Sequence, residues 1–100
     1  MSPTKAKPGV VKRLPRPFHL PWGEGMVTEE VSVPREHWEP TVQLLEYADG
    51  SKTLRFCYYH QGRFGRGPLI ADAQDLRDLL RAAKGEAPGI YRMLKSLGKG

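Results

Sequence analysis

Between residues 27 and 33, apolar and polar positions alternate with a period of two, which is typical of a half-buried β-strand. Pro34 ends this pattern because proline cannot donate to a strand ladder. Asp49-Gly50 separates two further alternating segments and predicts a hairpin with a tight primed turn. The four predicted strands cover residues 27–33, 41–47, 52–60 and 68–71. The glycine-rich segment 61–67 is predicted to be a flexible loop before the fourth strand.

The period changes to a helical one after Asp72, which is a suitable N-cap with Asp75 in the favourable first turn. An amphipathic helix is therefore predicted over residues 73–84, and Gly85 is expected to stop it. Its apolar stripe consists of Leu76, Leu79, Leu80 and Ala83. Pro88 can begin a last short helix that Gly98 closes.

The first 25 residues hold five of the nine prolines and five of the basic residues, so a helix or a central strand cannot propagate there. This Pro-rich basic arm either lies over the core or forms a polyproline-type ligand or a tail that touches nucleic acid. The predicted fold is α+β, a twisted antiparallel four-stranded sheet followed by an amphipathic helix. Its organisation is an arm over 1–25, a sheet-plus-helix domain over 26–85 and a short C-terminal helical extension over 86–100.

One hundred residues amount to one small domain. No apolar run is long enough to span a membrane, and the N-terminal segment lacks the apolar stretch of a signal peptide, so we expect a cytoplasmic protein. The one cysteine, Cys57, and three scattered histidines offer neither an intramolecular disulfide nor a zinc-finger spacing. We expect no metal and no cofactor.

The net charge of +5 favours an acidic partner, nucleic acid first. Residues 50–71 carry four cations and no acid, which predicts a local positive field. By strand parity Arg55 and Tyr59 share a face, and Phe64 follows close to the strand's exit. Cations that meet phosphates beside flat side chains on which bases stack are what single-strand binding requires. Each residue also has a plain structural role open to it: Arg55 as a solvated strand residue, Tyr59 in a cross-strand pair with Tyr47, and Phe64 as a pin for its own loop.

The order of strands and helix, with its turn and loop residues, resembles the positive cofactor four family of transcriptional coactivators, especially its bacterial members. The likeness covers about sixty residues and is carried by Val31-Ser32-Val33, Trp38, the strand 42–47, Asp49-Gly50, the strand 54–59, Gly65-Arg66-Gly67 and Asp72 before a Leu-rich helix. It implies binding of single-stranded nucleic acid with little sequence preference by a homodimer whose helices pack together, and it implies no enzymatic activity. The chain departs from the family at Phe56-Cys57-Tyr58-Tyr59, where bacterial relatives tend to show Ile-Arg-Asp-Trp, and in the acidic Glu36 and Glu39 around Trp38.

Single-stranded DNA or RNA is therefore the predicted partner of a transcription or DNA-maintenance cofactor, nucleoid-associated if the source is bacterial. The predicted nucleic-acid contacts are Arg35, Trp38, Tyr47, Lys52, Arg55, Tyr59, Arg63, Phe64 and Arg66. The predicted dimer contacts are Leu76, Leu79, Leu80 and Ala83.

The alternative hypothesis is a protein-interaction module that binds a transcription or replication protein through the Pro-rich arm and the last helix. An enzyme is not expected, because Cys57 and His60 are three apart in a strand and point to opposite faces.

Overall fold

A computed structural model describes residues 13–98 and has an α+β fold, as predicted. Five antiparallel strands follow one another across a single sheet, each paired with the next, and two helices follow the sheet. The strands are β1 (Arg16–Leu20), β2 (Gly23–Ser32), β3 (Glu39–Tyr47), β4 (Lys52–His60) and β5 (Arg63–Phe64). The helices are α1 (Ala73–Glu86) and α2 (Pro88–Leu97). Neither helix is long and apolar enough to cross a bilayer, within the part of the chain that is described.

The sheet begins well before the position predicted, inside the segment that was expected to be an arm. Residues 16–20 form β1, and β2 starts at Gly23 and not at Val27. Pro17 is compatible with β1 because, among the described strands, this one lies at the edge of the sheet, where a missing N–H need not leave a ladder bond unmade. Residues 1–12 of the predicted arm lie outside the described residues.

The other end of the sheet also differs from the prediction, because residues 68–71 do not form a strand. The chain instead turns back at once after β4. Gln61 and Gly62 both have positive φ, 52° and 82°, which is the signature of a two-residue primed turn. The turn at Asp49-Gly50 is a different one, since only Gly50 has positive φ, at 90°, and its N–H donates to the carbonyl of Tyr47. This geometry fits a three-residue bulged hairpin.

The two faces of the sheet bury two separate cores. The helices pack on the face that carries Val31, Val42 and Leu44. The opposite face has a smaller core of Phe18, Val27 and Leu45. An irregularity in the β2–β3 register after Val27 changes the parity of β2, so that Val27 and Glu30 lie on the same face.

Asp72 caps α1 as predicted and forms a capping box with Asp75. The helix continues past Gly85, however, and ends at Glu86. Pro88 begins α2, and its first free N–H groups are satisfied from a distance: the Glu29 carboxylate accepts from the backbone N–H of Gly89 at 3.1 Å and of Ile90 at 2.9 Å. β2 therefore caps α2 and holds it on the sheet.

Candidate nucleic-acid interface

A polar groove of about 460 Å³ crosses the face of the sheet that the helices leave open. It extends from Arg16 and His19 on β1 to Arg55 on β4 and Phe64 on β5. This face is concave, because Arg16 on the first strand reaches the hydroxyl of Tyr59 on the fourth strand at 3.0 Å. The curl of the sheet therefore brings residues from distant strands into one groove.

A carboxylate, Glu30, organises the floor of this groove. Its Oε2 accepts hydrogen bonds from Arg16 Nη2 at 2.8 Å, from Gln43 Nε2 at 2.7 Å and from the Tyr59 hydroxyl at 3.1 Å. Because every donor is fixed on a different strand, the network ties β1, β2, β3 and β4 together across the face. The Glu30 charge is thereby neutralised inside the protein.

The pKa values in this network follow its geometry. Burial by itself would raise the pKa of Glu30, but hydrogen bonds from Arg16 and Gln43 outweigh it and hold the pKa below its ordinary 4.5. Burial, together with the negative charge of Glu30, raises the pKa of Tyr59 to about 12. Glu30 is therefore ionised and Tyr59 is a neutral hydrogen-bonding group at neutral pH.

Arg55 lies at the open side of this network. Its Nε donates to Gln43 Oε1 at 2.7 Å, which fixes the plane of the guanidinium. The same guanidinium lies 5.0 Å from the centre of the Phe64 ring, a cation–π arrangement. Phe64 is 45% exposed, and its ring meets Tyr59 edge-on at a centroid distance of 5.8 Å. A stacked arginine and phenylalanine thus stand at the solvent side of the groove.

Three further predicted cations lie on the same two strands or directly after them: Lys52 begins β4, Arg63 is in β5, and Arg66 is in the loop after β5. Lys52, Arg63 and Arg66 are exposed, and within residues 13–98 none of them forms an ion pair or hydrogen bond through its side chain. No acidic residue occurs between positions 50 and 71. Together with Arg55, these cations form a strip along β4, β5 and the loop that follows. We call this strip the basic edge.

Four other predicted contacts have structural partners. Tyr59 is 7% exposed, so its ring is not an open stacking surface. Tyr47 packs edge-on against Phe18 and closes the smaller core. Trp38 packs at 5.5 Å against Tyr58, which lies on the other face of β4. Arg35 is also engaged internally.

Arg35 fastens the loop between β2 and β3 to the first helix. Its Nε and Nη2 donate to Asp75 at 2.7 Å and to Asp78 at 2.8 Å. These hydrogen bonds lower the pKa of both carboxyls and keep them charged. The predicted phosphate contact is therefore a tether of α1.

The predicted dimer stripe is divided between the inside and the outside of the domain. Leu79 and Ala83 are 1% and 0% exposed in the single chain, packed in the core against the sheet. Leu76 is 54% exposed, and with Leu80 it lines an apolar groove of about 280 Å³ that also includes Phe56 of β4. Only the outer part of the stripe is accessible to a second chain.

Arg16, Glu30 and Gln43 belong to the groove and were not predicted. Gln43 had a signal in the sequence: it is the one amide within the apolar segment 41–45, and a buried polar side chain needs an internal partner. Arg16 and Glu30 had none, because their pairing depends on a strand register and a bulge that no local pattern specifies.

Cys57 and His60 lie on opposite faces of β4, because the β3–β4 register is continuous through these residues. Cys57 is buried, and burial raises the pKa of its thiol to about 12. Among residues 13–98 no three His, Cys, Asp or Glu side chains are grouped to hold a metal ion.

No protein-family model matches the sequence, and searches of curated proteins and of solved structures find no significant match.

Proposed function

We propose that this protein binds single-stranded nucleic acid along the concave groove and the basic edge, as the resemblance to the positive cofactor four family suggests. The observation that carries the proposal is the Arg55 guanidinium held over the half-exposed Phe64 ring, next to cations that have no side-chain partner within residues 13–98. A phosphate can meet the cations while a base stacks on the exposed ring, and stacking of this kind contributes about 1–3 kcal/mol per base. Neither contact reads base identity, so little sequence preference is expected.

The residues at the floor of the groove support this proposal, but Tyr59 has a different role from the direct ligand contact predicted for it. Tyr59 and Gln43 do not face the ligand freely; they position Arg55 through the hydrogen bond from its Nε. Glu30 repels phosphates little, because its carboxylate is paired with Arg16 and its side chain is only 10% exposed. We assign the ligand contacts to Arg55, Arg63, Phe64 and Arg66, with Lys52 farther along the strand.

We also propose that the domain acts as a homodimer. β5 pairs with only two residues of β4, so residues 52–57 have no strand partner on the outer side of the sheet, within the described chain. Phe56, 44% exposed, connects this open edge to the apolar groove that Leu76 lines. A second copy covers both features at once, and a dimer places two basic edges on one particle.

The alternative, a protein-interaction module, relies on the Pro-rich arm and the last helix. In the fold, residues 16–20 are a sheet strand and Ile90 of α2 is fully buried. Residues 16–20 and Ile90 are thus engaged within the domain, and we favour nucleic acid as the partner for the basic edge.

The experiment is fluorescence anisotropy with a labelled oligothymidine over a series of salt concentrations. For a single strand, the slope of log affinity against log salt is about −0.7 per phosphate contact. We expect Arg63→Ala combined with Arg66→Ala to weaken binding and to make the slope shallower by about 1.4, which is two contacts. Because neither side chain has a partner in the described part of the chain, the melting temperature should stay the same.

The matched control is Lys84→Ala combined with Arg92→Ala, which removes two exposed cations from the helices. This variant has the same net charge as the test variant and should keep the wild-type slope. Absence of wild-type binding at low salt, or an equal loss in the control, would contradict the proposal.

A further inference from the structure

A second cleft, of about 660 Å³, lies on the other side of β5 from the concave groove. It is bounded by the loop between β2 and β3, by the helix-side face of β4 and by residues 65–70. Its volume is within the range of ligand pockets in proteins. We call it the aromatic cleft, after the side chains that line it.

Three rings and one aliphatic side chain give the aromatic cleft its apolar surface. Trp38 and Tyr58 pack at 5.5 Å with their planes tilted by 57°. Phe64 and Ile70 also line the cleft and are 45% and 69% exposed. Gly65 passes directly over Tyr58, where a Cβ atom would overlap the ring, so the loop needs glycine to lie this close. The cleft is thus formed by close packing of the loop on Tyr58, and part of its apolar lining is exposed to solvent.

The aromatic cleft also has polar side chains, of which Arg63 is positively charged. Arg63, His37 and His60 line it, and no carboxylate of the described residues does. His60 Nδ1 donates to the carbonyl of His37 at 2.6 Å and joins the loop to β4. A flat apolar body carrying a negative charge is complementary to these walls, and a nucleotide has both parts.

Phe64 connects the two surfaces, since the same ring lines both the concave groove and the aromatic cleft. Arg63 and Phe64 are the whole of β5, so a bound nucleic acid that extends beyond Arg55 has only these two residues to cross. The single-stranded partner can follow the basic edge around the side of the sheet.

We infer that the aromatic cleft is a base-binding subsite, in which one unpaired base of the bound strand stacks against Trp38 while Arg63 meets its phosphate. This inference rests on the proposed function and adds to it a defined path around β5. The subsite takes any base, because its walls offer ring faces and few groups that read base edges.

The test uses Trp38 as a reporter. The chain has two tryptophans, and Trp22→Phe leaves Trp38 as the single one. Oligothymidine should quench its fluorescence with the same midpoint as the anisotropy titration. Trp38→Ala should lower affinity about 5- to 150-fold, the equivalent of one stacked base, with an unchanged salt slope because no phosphate contact is lost. Trp38→Phe should recover most of the affinity.

Ile70→Glu is the second variant, because Ile70 is largely exposed and its replacement leaves the Trp38–Tyr58 packing in place. It should weaken binding, whereas Trp22→Glu, at a 75% exposed side chain on the turn after β1, should not. The subsite is overturned and the proposed function stands if the wild type binds oligothymidine with the expected dependence on salt, Trp38 is not quenched, and both cleft variants bind as tightly as the wild type. If the wild type binds no oligothymidine at low salt, both are overturned.

Discussion

At the scale of single residues, Glu30 matters for this protein through what it holds in place. One of its two carboxylate oxygens, Oε2, accepts from Arg16, Gln43 and Tyr59, and Gln43 in turn accepts from Arg55. A partly buried carboxylate is stabilising only when its partners satisfy it, and these partners come from three other strands. The position of the proposed ligand-binding arginine therefore depends on a residue two strands away.

We predict that Glu30→Gln lowers the free energy of unfolding at pH 7 by about 1–3 kcal/mol, because Arg16 loses its charged partner. The pKa of Glu30 is lower in the folded than in the unfolded chain, so its contribution is fully present above pH 4.5, its ordinary pKa, and is lost as the pH falls through the folded value. The difference between wild type and variant should therefore shrink below pH 4.5. Urea unfolding at several pH values measures it.

Glu24→Gln is the control for this prediction, since Glu24 is an exposed carboxylate that pairs with the exposed His19. Its effect should stay within about 0.5 kcal/mol, as for an ordinary surface substitution. A Glu30 variant as stable as this control at neutral pH would show that the network does not hold the sheet together.

At the scale of elements, the turn at Gln61-Gly62 sets the position of the functional surface. Two residues with positive φ return the chain beside β4 at once, and the register then places Phe64 opposite Tyr59. A longer or differently twisted turn would move Phe64 away from Arg55, and with it the stacked pair. The short β5 is therefore placed by backbone conformation more than by its own side-chain contacts.

We predict that Gly62→Ala destabilises the domain by about 1–2 kcal/mol, because a Cβ atom disfavours the left-handed conformation. Gly85→Ala should do the opposite and stabilise by up to about 1 kcal/mol, since Gly85 lies inside α1 with open space around its Cα. Thermal melting followed by circular dichroism compares the two substitutions, which add the same methyl group. Equal shifts of both midpoints would contradict the assignment of the turn.

At the scale of the whole molecule, the sheet separates two kinds of surface. One face and the basic edge are polar and positive, whereas the helix side has an apolar groove next to the unpaired edge of β4. An open strand edge with apolar side chains beside it is a liability in a monomer and a natural site for pairing. The proposed homodimer uses this second surface together with the β4 edge over residues 52–57, and it leaves the concave face and the Arg63 and Arg66 end of the basic edge free.

We predict that the wild-type chain sediments as a dimer at micromolar concentration and that Leu76→Glu sediments as an 11.3 kDa monomer with an unchanged circular dichroism spectrum. Leu76 suits this test because it is exposed, whereas a charge at Leu79 would disrupt the core. Leu14→Glu, at a 42% exposed leucine before β1, is the matched control and should remain dimeric. A monomeric wild type would remove the dimer from the proposal.

Local patterns in the chain predicted the features that depend on nearby residues. The strands predicted over 41–47 and 52–60, the N-cap at Asp72 and the start of α2 at Pro88 are confirmed, since each reflects the periods and caps of its own segment. The alternation predicted for β2 is interrupted, because the bulge after Val27 puts Val27 and Val31 on opposite faces. The positive strip after Gly50 is also a property of the chain itself, because its four cations all occur in one segment, residues 50–71, that contains no acid. These observations determined the α+β class and the location of the charge.

The tertiary structure decided which side chains remain available. β1 exists because β2 pairs with it, although Pro17 within it argues against a strand. Tyr59 is covered by partners from β1, β2 and β3, and Arg35 is held by a helix forty residues away. Such pairings follow from the curl and register of the sheet, in which distant residues compete for the same groups, so no pattern within one segment contains them. The chain alone therefore determined where its charge and its central strands lie, and folding determined which of those charges face solvent.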